Sequence, residues 1–157
     1  MAVMTSAIGT SLLHRRLADS LHVEALLLAD EARAYFDEMG RRERHALVPA
    51  NRVAFSCESL KVTTRLMHVI AWLLTRRAVD AGEIGVAEAL APARRLGPAP
   101  DTDEAVLASM PEQAAAIMRS SIELYRRVAR LDTALDEPEP VDPGPARSML
   151  ERLSRAF

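Results

Sequence analysis

Apolar side chains recur at steps of three and four along three stretches of this chain, the spacing that keeps residues on one face of an α-helix. In the first stretch Leu13, Leu17, Leu21, Leu28, Ala32, Tyr35 and Met39 share a face, with Ala25 filling the gap, and predict a helix over about Ser11–Met39. Gly40 stands where a left-handed cap residue would end it. Charged Arg41 to Arg44 then lead through His45 to Pro49, which restricts Val48 to extended backbone and predicts a connection.

The second stretch is the most apolar. Val53, Cys57, Leu60, Thr64, Met67, Ala71, Leu74 and Ala78 form one stripe, read as the inner one, and Val62, Leu66, Val69, Ile70 and Leu73 form a second beside it. An arc this wide predicts a helix from Ala50 or Asn51 to Ala81 that is covered on two sides, at the centre of a bundle. In the third stretch Ile117, Ser121, Leu124, Val128, Leu131 and Leu135 repeat the spacing. There Glu123 and Arg127 are placed for an exposed ion pair worth about 0.3–0.5 kcal/mol.

Between the second and third stretches, Gly82 is a helix stop, and Glu83–Ala91 has room for a short extra helix. Pro92 to Pro100 holds three prolines and Gly97, which predicts an irregular, mobile connection. Asp101, Thr102 or Asp103 would cap a helical segment through Met110, and Pro111 would kink it or begin a new first turn. The expected fold is all-α, an antiparallel three-helix bundle with a short extra helix over residues 1–136. Residues 137–157 begin Glu-Pro-Glu-Pro-Val-Asp-Pro-Gly-Pro, an acidic, proline-rich composition that predicts a disordered tail. Within it Met149, Leu150, Leu153 and Phe157 keep helical spacing and suit a tethered docking segment.

Composition narrows the classes of function. The chain's 157 residues fit one domain with a real core. One cysteine excludes an internal disulfide and agrees with a reducing, cytoplasmic setting. The strongest apolar run, Leu66–Thr75, is ten residues between Arg65 and Arg76, about half of the roughly 20 needed to cross a bilayer, so no membrane insertion is expected. Twenty basic residues against twenty-two acidic ones leave a charge of −2, which argues against nucleic acid as a partner.

Candidate chemistry is sparse. His14, His22, His45 and His68 are scattered, without the spacing of a metal site, and two glycines at 82 and 85 make no phosphate cradle. No metal, cofactor or catalytic residue is expected. Cys57, on the inner stripe, reads as a small apolar core residue. Leu66, Val69, Trp72 and Leu73 are candidates for core or dimer contacts, Trp72 as a core residue with its N–H bonded locally or as an interface anchor. Glu58, Lys61 and Arg65 share a polar face, either as a solvated stripe or, with Thr63 and Arg77, as a partner-docking surface. A competing reading places a small enzyme or ligand site around Glu58, Arg65 and His68; it requires the three to converge in one pocket.

Glu58-Ser59-Leu60, Thr63-Thr64-Arg65-Leu66-Met67, Trp72-Leu73-Leu74, Arg76-Arg77-Ala78-Val79 and Gly82-Glu83-Ile84 resemble the RcdA family, regulators of CtrA degradation in the alphaproteobacterial cell cycle. Leu124-Tyr125-Arg126-Arg127-Val128 and Arg130-Leu131-Asp132 extend the resemblance weakly. It implies a homodimeric helical bundle acting as a non-enzymatic adaptor, which helps the ClpXP protease take up particular substrates. The implied partners are a ClpX-type AAA+ unfoldase, response-regulator-like adaptor proteins and protein substrates.

Overall fold

The computed structural model describes residues 2–137, 149–150 and 152–153. Three long helices carry the fold: α1 (Ala2–Asp37), α3 (Pro49–Asp80) and α6 (Glu112–Ala134). Short helices α2 (Met39–Ala46), α4 (Val86–Ala89) and α5 (Glu104–Ala108) lie in the connections, with one 3-10 turn at Pro92–Arg94. The all-α class and the three-helix plan are as the periodicity predicts.

Their directions follow from the pairs that join them. Arg15 meets Asp80, Arg77 meets Asp19, and Phe36 packs edge-on against Phe55, so α1 and α3 run antiparallel. By contrast Arg65 meets Ser121 and Trp72 meets Asp132, so α6 runs parallel to α3. The physical cause is the segment from Ala81 to Pro111, which travels back along α3 before α6 begins; a parallel neighbour needs such a crossover.

Two glycines explain the ends of the first two long helices. Gly40 is not a left-handed cap: α1 breaks at Glu38, and Gly40 lies inside α2, where a Cβ would sit 3.0 Å from the Tyr35 carbonyl oxygen. It allows close approach, and the charged Arg41–Arg44 run expected as a connection is helical. Tyr35 donates to Glu43 across this turn, and Arg44 donates to Ser56 Oγ at 3.1 Å, tying α2 to both neighbours. Burial first, and then Glu43, pushes the Tyr35 phenol well above its ordinary value. Gly82 does have positive φ, +73°, and closes α3 as a Schellman motif. The Glu83 N–H reaches the Ala78 carbonyl at 2.9 Å and the Gly82 N–H reaches that of Val79 at 3.0 Å.

The core is built from Leu21, Ala25, Leu28, Ala32 and Tyr35 of α1, Phe55, Val62, Leu66, Val69, Trp72 and Leu73 of α3, and Ile117, Met118, Leu124 and Val128 of α6. The α6 pattern is buried as its spacing predicts, apart from its half-buried C-terminal leucines. On α3 the stripe read as inner is the outer one. Val53 is 65%, Leu60 68%, Met67 62% and Leu74 50% exposed, and Cys57 is exposed rather than in the core. Leu60 and Val62 stand two residues apart, about 200° around the helix, so the two stripes face opposite ways. Leu13, Leu17 and Met39 of the α1 stripe are also exposed. The expected Glu123–Arg127 pair is not formed; Arg127 reaches across to Glu24 and ties α6 to α1.

Candidate functional site

Two of the polar residues of α3 that read as a docking face, Glu58 and Arg65, are turned inward. Glu58 is 3% and Arg65 2% exposed, and both hold the returning connection against the helix. Arg65 Nη2 donates to the Pro100 carbonyl at 2.9 Å and to Thr102 Oγ1 at 2.7 Å, and Nη1 donates to Ser121 Oγ at 3.2 Å. Thr102 in turn donates to Glu58 Oε2 at 2.5 Å, while Lys61 donates to Glu58 Oε1 at 2.8 Å and to the Asp101 carbonyl at 2.9 Å. One guanidinium thus joins α3, α6 and the crossover, a use of several donors at fixed angles that lysine cannot copy. Burial holds Arg65 below its ordinary pKa, Glu58 and Asp101 oppose that, and Arg126 adds to it. Of the other docking candidates, Thr63 is exposed and donates to the Ser59 carbonyl, and exposed Arg77 faces Asp19 at 3.8 Å.

The connection from Pro92 is irregular, as its prolines dictate, but anchored along its length. Arg95 donates to Asp132 at 2.8 Å and to Asp136 at 2.8 Å, and Tyr125 donates to the Gly97 carbonyl at 2.7 Å. The bond from Arg95 holds the Asp136 carboxyl below its ordinary 3.8, so this tie is complete above that value and is lost as pH falls through the lowered one. Trp72, 4% exposed, is a core residue whose indole N–H donates to Asp132 Oδ1 at 2.7 Å, on α6 rather than locally. These bonds replace the mobility expected from composition.

Beside them lies an open cleft of about 550 Å³, lined by His68, Ala71, Trp72, Thr75, Ala93, Arg94, Arg95 and Gly97. His68 enters it, but Glu58 and Arg65 are not among its lining residues, so the three do not converge as an enzyme or ligand site would require. Gly97 lies flat on the His68 ring: a Cβ there would come within 2.8 Å of ring atoms. Gly97→Ala is therefore expected to cost about 1–3 kcal/mol by overpacking. Urea unfolding followed by the Trp72 fluorescence checks it, and an unchanged midpoint would show that the loop yields freely.

What remains on the surface of α3 is its outer stripe. Val53, Leu60, Met67 and Leu74 recur every seven residues, and Cys57, Thr64, Ala71 and Ala78 occupy the intervening position, which is the a/d pattern of a coiled-coil seam. Asp19, Val23 and Leu26 share one flank of α1, and Asp19 pairs with Arg77, so the exposed Val23 and Leu26 border this seam. Met149, Leu150 and Leu153 are helical and more than half exposed, while Phe157 lies outside the described residues, as do 138–148 of the tail.

Comparison with known proteins places this geometry. The family model described as Protein of unknown function (DUF1465) matches residues 9–157. The crystal structure of RcdA from Caulobacter crescentus CB15 superimposes with a TM-score of 0.62 at 33% identity, covering 76% of this chain and 90% of that one. The chain belongs to this RcdA-like family. No curated protein matches the sequence. For an RcdA-like protein the burial of Glu58 and Arg65 has a plain reading: part of the wording that resembles the family records how the crossover is held, rather than a contact surface.

The residues that partner the clamp were not legible from periodicity. Thr102 and Ser121 are small polar residues with no motif, and the Arg95–Asp132 bond spans 37 positions. One signal was available on α6, where Arg119, Ile122, Arg126 and Arg130 follow at steps of three and four. Among the described residues no group of His, Cys, Asp and Glu is arranged to hold a metal ion, and no helix is long and apolar enough to cross a membrane.

Proposed function

We propose that the protein is a cytoplasmic, homodimeric adaptor of regulated proteolysis, which brings cell-cycle substrates to a ClpXP-type protease without performing chemistry itself. The observation that carries this reading is the second apolar face of α3. A core helix with a four-heptad seam left exposed on its far side is suited to protein contact, and a seam of this kind is self-complementary across a two-fold axis. Small residues at Thr64, Ala71 and Ala78 would let a second α3 approach closely, and Val23 and Leu26 would widen the buried area.

Likeness to RcdA supports the adaptor role, and the partners proposed for it are the unfoldase ClpX, response-regulator-like adaptors and protein substrates. The mechanism is proximity: one surface holds cargo or an upstream regulator and another, or the segment bearing Met149, Leu150 and Leu153, touches the protease, so neither contact has to be strong alone. Thr63 and Arg77 remain the exposed polar candidates on α3. Purified protein, added to ClpXP, an ATP supply, the response-regulator-like partner and a cell-cycle substrate, is expected to speed degradation without hydrolysing ATP alone. Unchanged degradation with all of these present would refute the reading.

A further inference from the structure

A second groove lies away from the α3 seam, between α5 and α6. It measures about 480 Å³ and is lined by four arginines, Arg119, Arg126, Arg127 and Arg130, against two glutamates, Glu104 and Glu123, with Leu107 and Ile122 as its apolar part. Arg119 is neutralised by Glu104 at 2.6 Å, and Arg127 is turned to Glu24 on α1. Arg126 and Arg130 are exposed and form no ion pair among the described residues. Glu123 is likewise exposed and without an ion pair among the described residues, so Arg126 and Arg130 leave the groove with a surplus of one positive charge.

We infer that this groove is a docking site for an extended acidic peptide segment of a partner protein, with Arg126 and Arg130 as its paired anchors. Four residues of helix place these two about 6 Å apart along α6, close to the roughly 6.6 Å between alternate side chains of an extended strand. Carboxylates two positions apart on such a segment would each meet one guanidinium, with a hydrogen-bonded fork available at both. Glu104 and Glu123 on the rim disfavour a continuous phosphate backbone, and no aromatic side chain lines the groove to stack a base. This inference rests on the adaptor reading only for its purpose: it gives that adaptor a cargo or regulator contact on a face that pairing through α3 leaves free.

The test is direct binding by the full-length protein, measured by fluorescence anisotropy at low salt with a short labelled peptide alternating Glu with Leu. Binding is expected, falling with added salt, and weakened about tenfold or more by Arg126→Ala/Arg130→Ala, whose circular dichroism should match the wild type. The same peptide with Lys in place of Glu should not bind. Equal affinity of the variant and the wild type, or equal binding of the Lys peptide, overturns the inference. Tighter, Arg126- and Arg130-dependent binding of a single-stranded oligonucleotide or of phosphatidylglycerol vesicles also overturns it, in favour of those ligands. Because no protease is present, failure here with degradation still stimulated removes the groove alone, whereas peptide binding without stimulation removes the adaptor reading.

Discussion

Replacing Arg65 with alanine is expected to destabilise the fold by about 3–5 kcal/mol, the cost of breaking a buried ionic network from one side. At this chain length that corresponds to a fall in melting temperature on the order of 10 °C, at fixed protein concentration. Removal of the guanidinium leaves Glu58 buried with Thr102 and Lys61 as its remaining partners and frees the Pro100 carbonyl and Ser121 hydroxyl of their bonds. The damage should therefore be concentrated where the crossover lies on α3. Arg65→Lys keeps the charge but cannot span Ser121, Pro100 and Thr102 together, so it should recover only part of the loss. Thermal unfolding of the three proteins by circular dichroism checks this order; a lysine variant as stable as wild type would show that charge alone, and not the fork, holds the connection.

The second large effect concerns the outer stripe. Leu60→Asp/Met67→Asp changes two side chains that are more than 60% exposed in the single subunit, so the subunit itself should keep its helices and most of its stability. In a two-fold dimer each change is met twice, and four carboxylates would be buried against an apolar seam at a cost no rim contact can offset. The double variant is expected to sediment at the 17.2 kDa of one chain where the wild type sediments at twice that, with far-ultraviolet circular dichroism unchanged. Loss of helix on substitution would instead place these side chains in the subunit core.

These two sites show what apolar and polar patterning discloses and where it stops. Periodicity located the long helices, because a stripe of apolar residues has no stable place but against another surface. It could not say which of two stripes on α3 faced the core and which faced outward, since both repeat at nearly the same interval and differ only by rotation about the axis. Volume distinguishes them afterwards: the inward stripe of Val62, Leu66, Val69 and Leu73 is uniformly bulky, whereas the outward one alternates Leu60, Met67 and Leu74 with Thr64, Ala71 and Ala78. Direction was legible only in part: α1 runs antiparallel to α3 as expected, whereas α6 runs parallel to it. That α6 runs parallel to α3 depends on the crossover lying flat on the helix, and that depends on Arg65, Lys61, Tyr125 and Arg95 finding partners up to 41 residues away. Polar residues on a helix read as surface until their partners are known, which is why Glu58 and Arg65 looked like contacts and proved to be struts. Gly40 and Gly82 make the same point for caps, the second taking the left-handed conformation and the first a close approach inside a helix.

In the proposed dimer α3 works on both faces, closing the core with one and meeting a second copy with the other. Cys57 is the natural probe of this, because it is the sole cysteine, lies exposed on the outer stripe of the single subunit, and reports on cover without any further substitution. Its reaction with a maleimide reagent at micromolar protein should be slow in the wild type and about tenfold or more faster in Leu60→Asp/Met67→Asp, where the seam is released. Equal, fast labelling in both proteins would rule out pairing through α3, since its outer face would then be bare in solution.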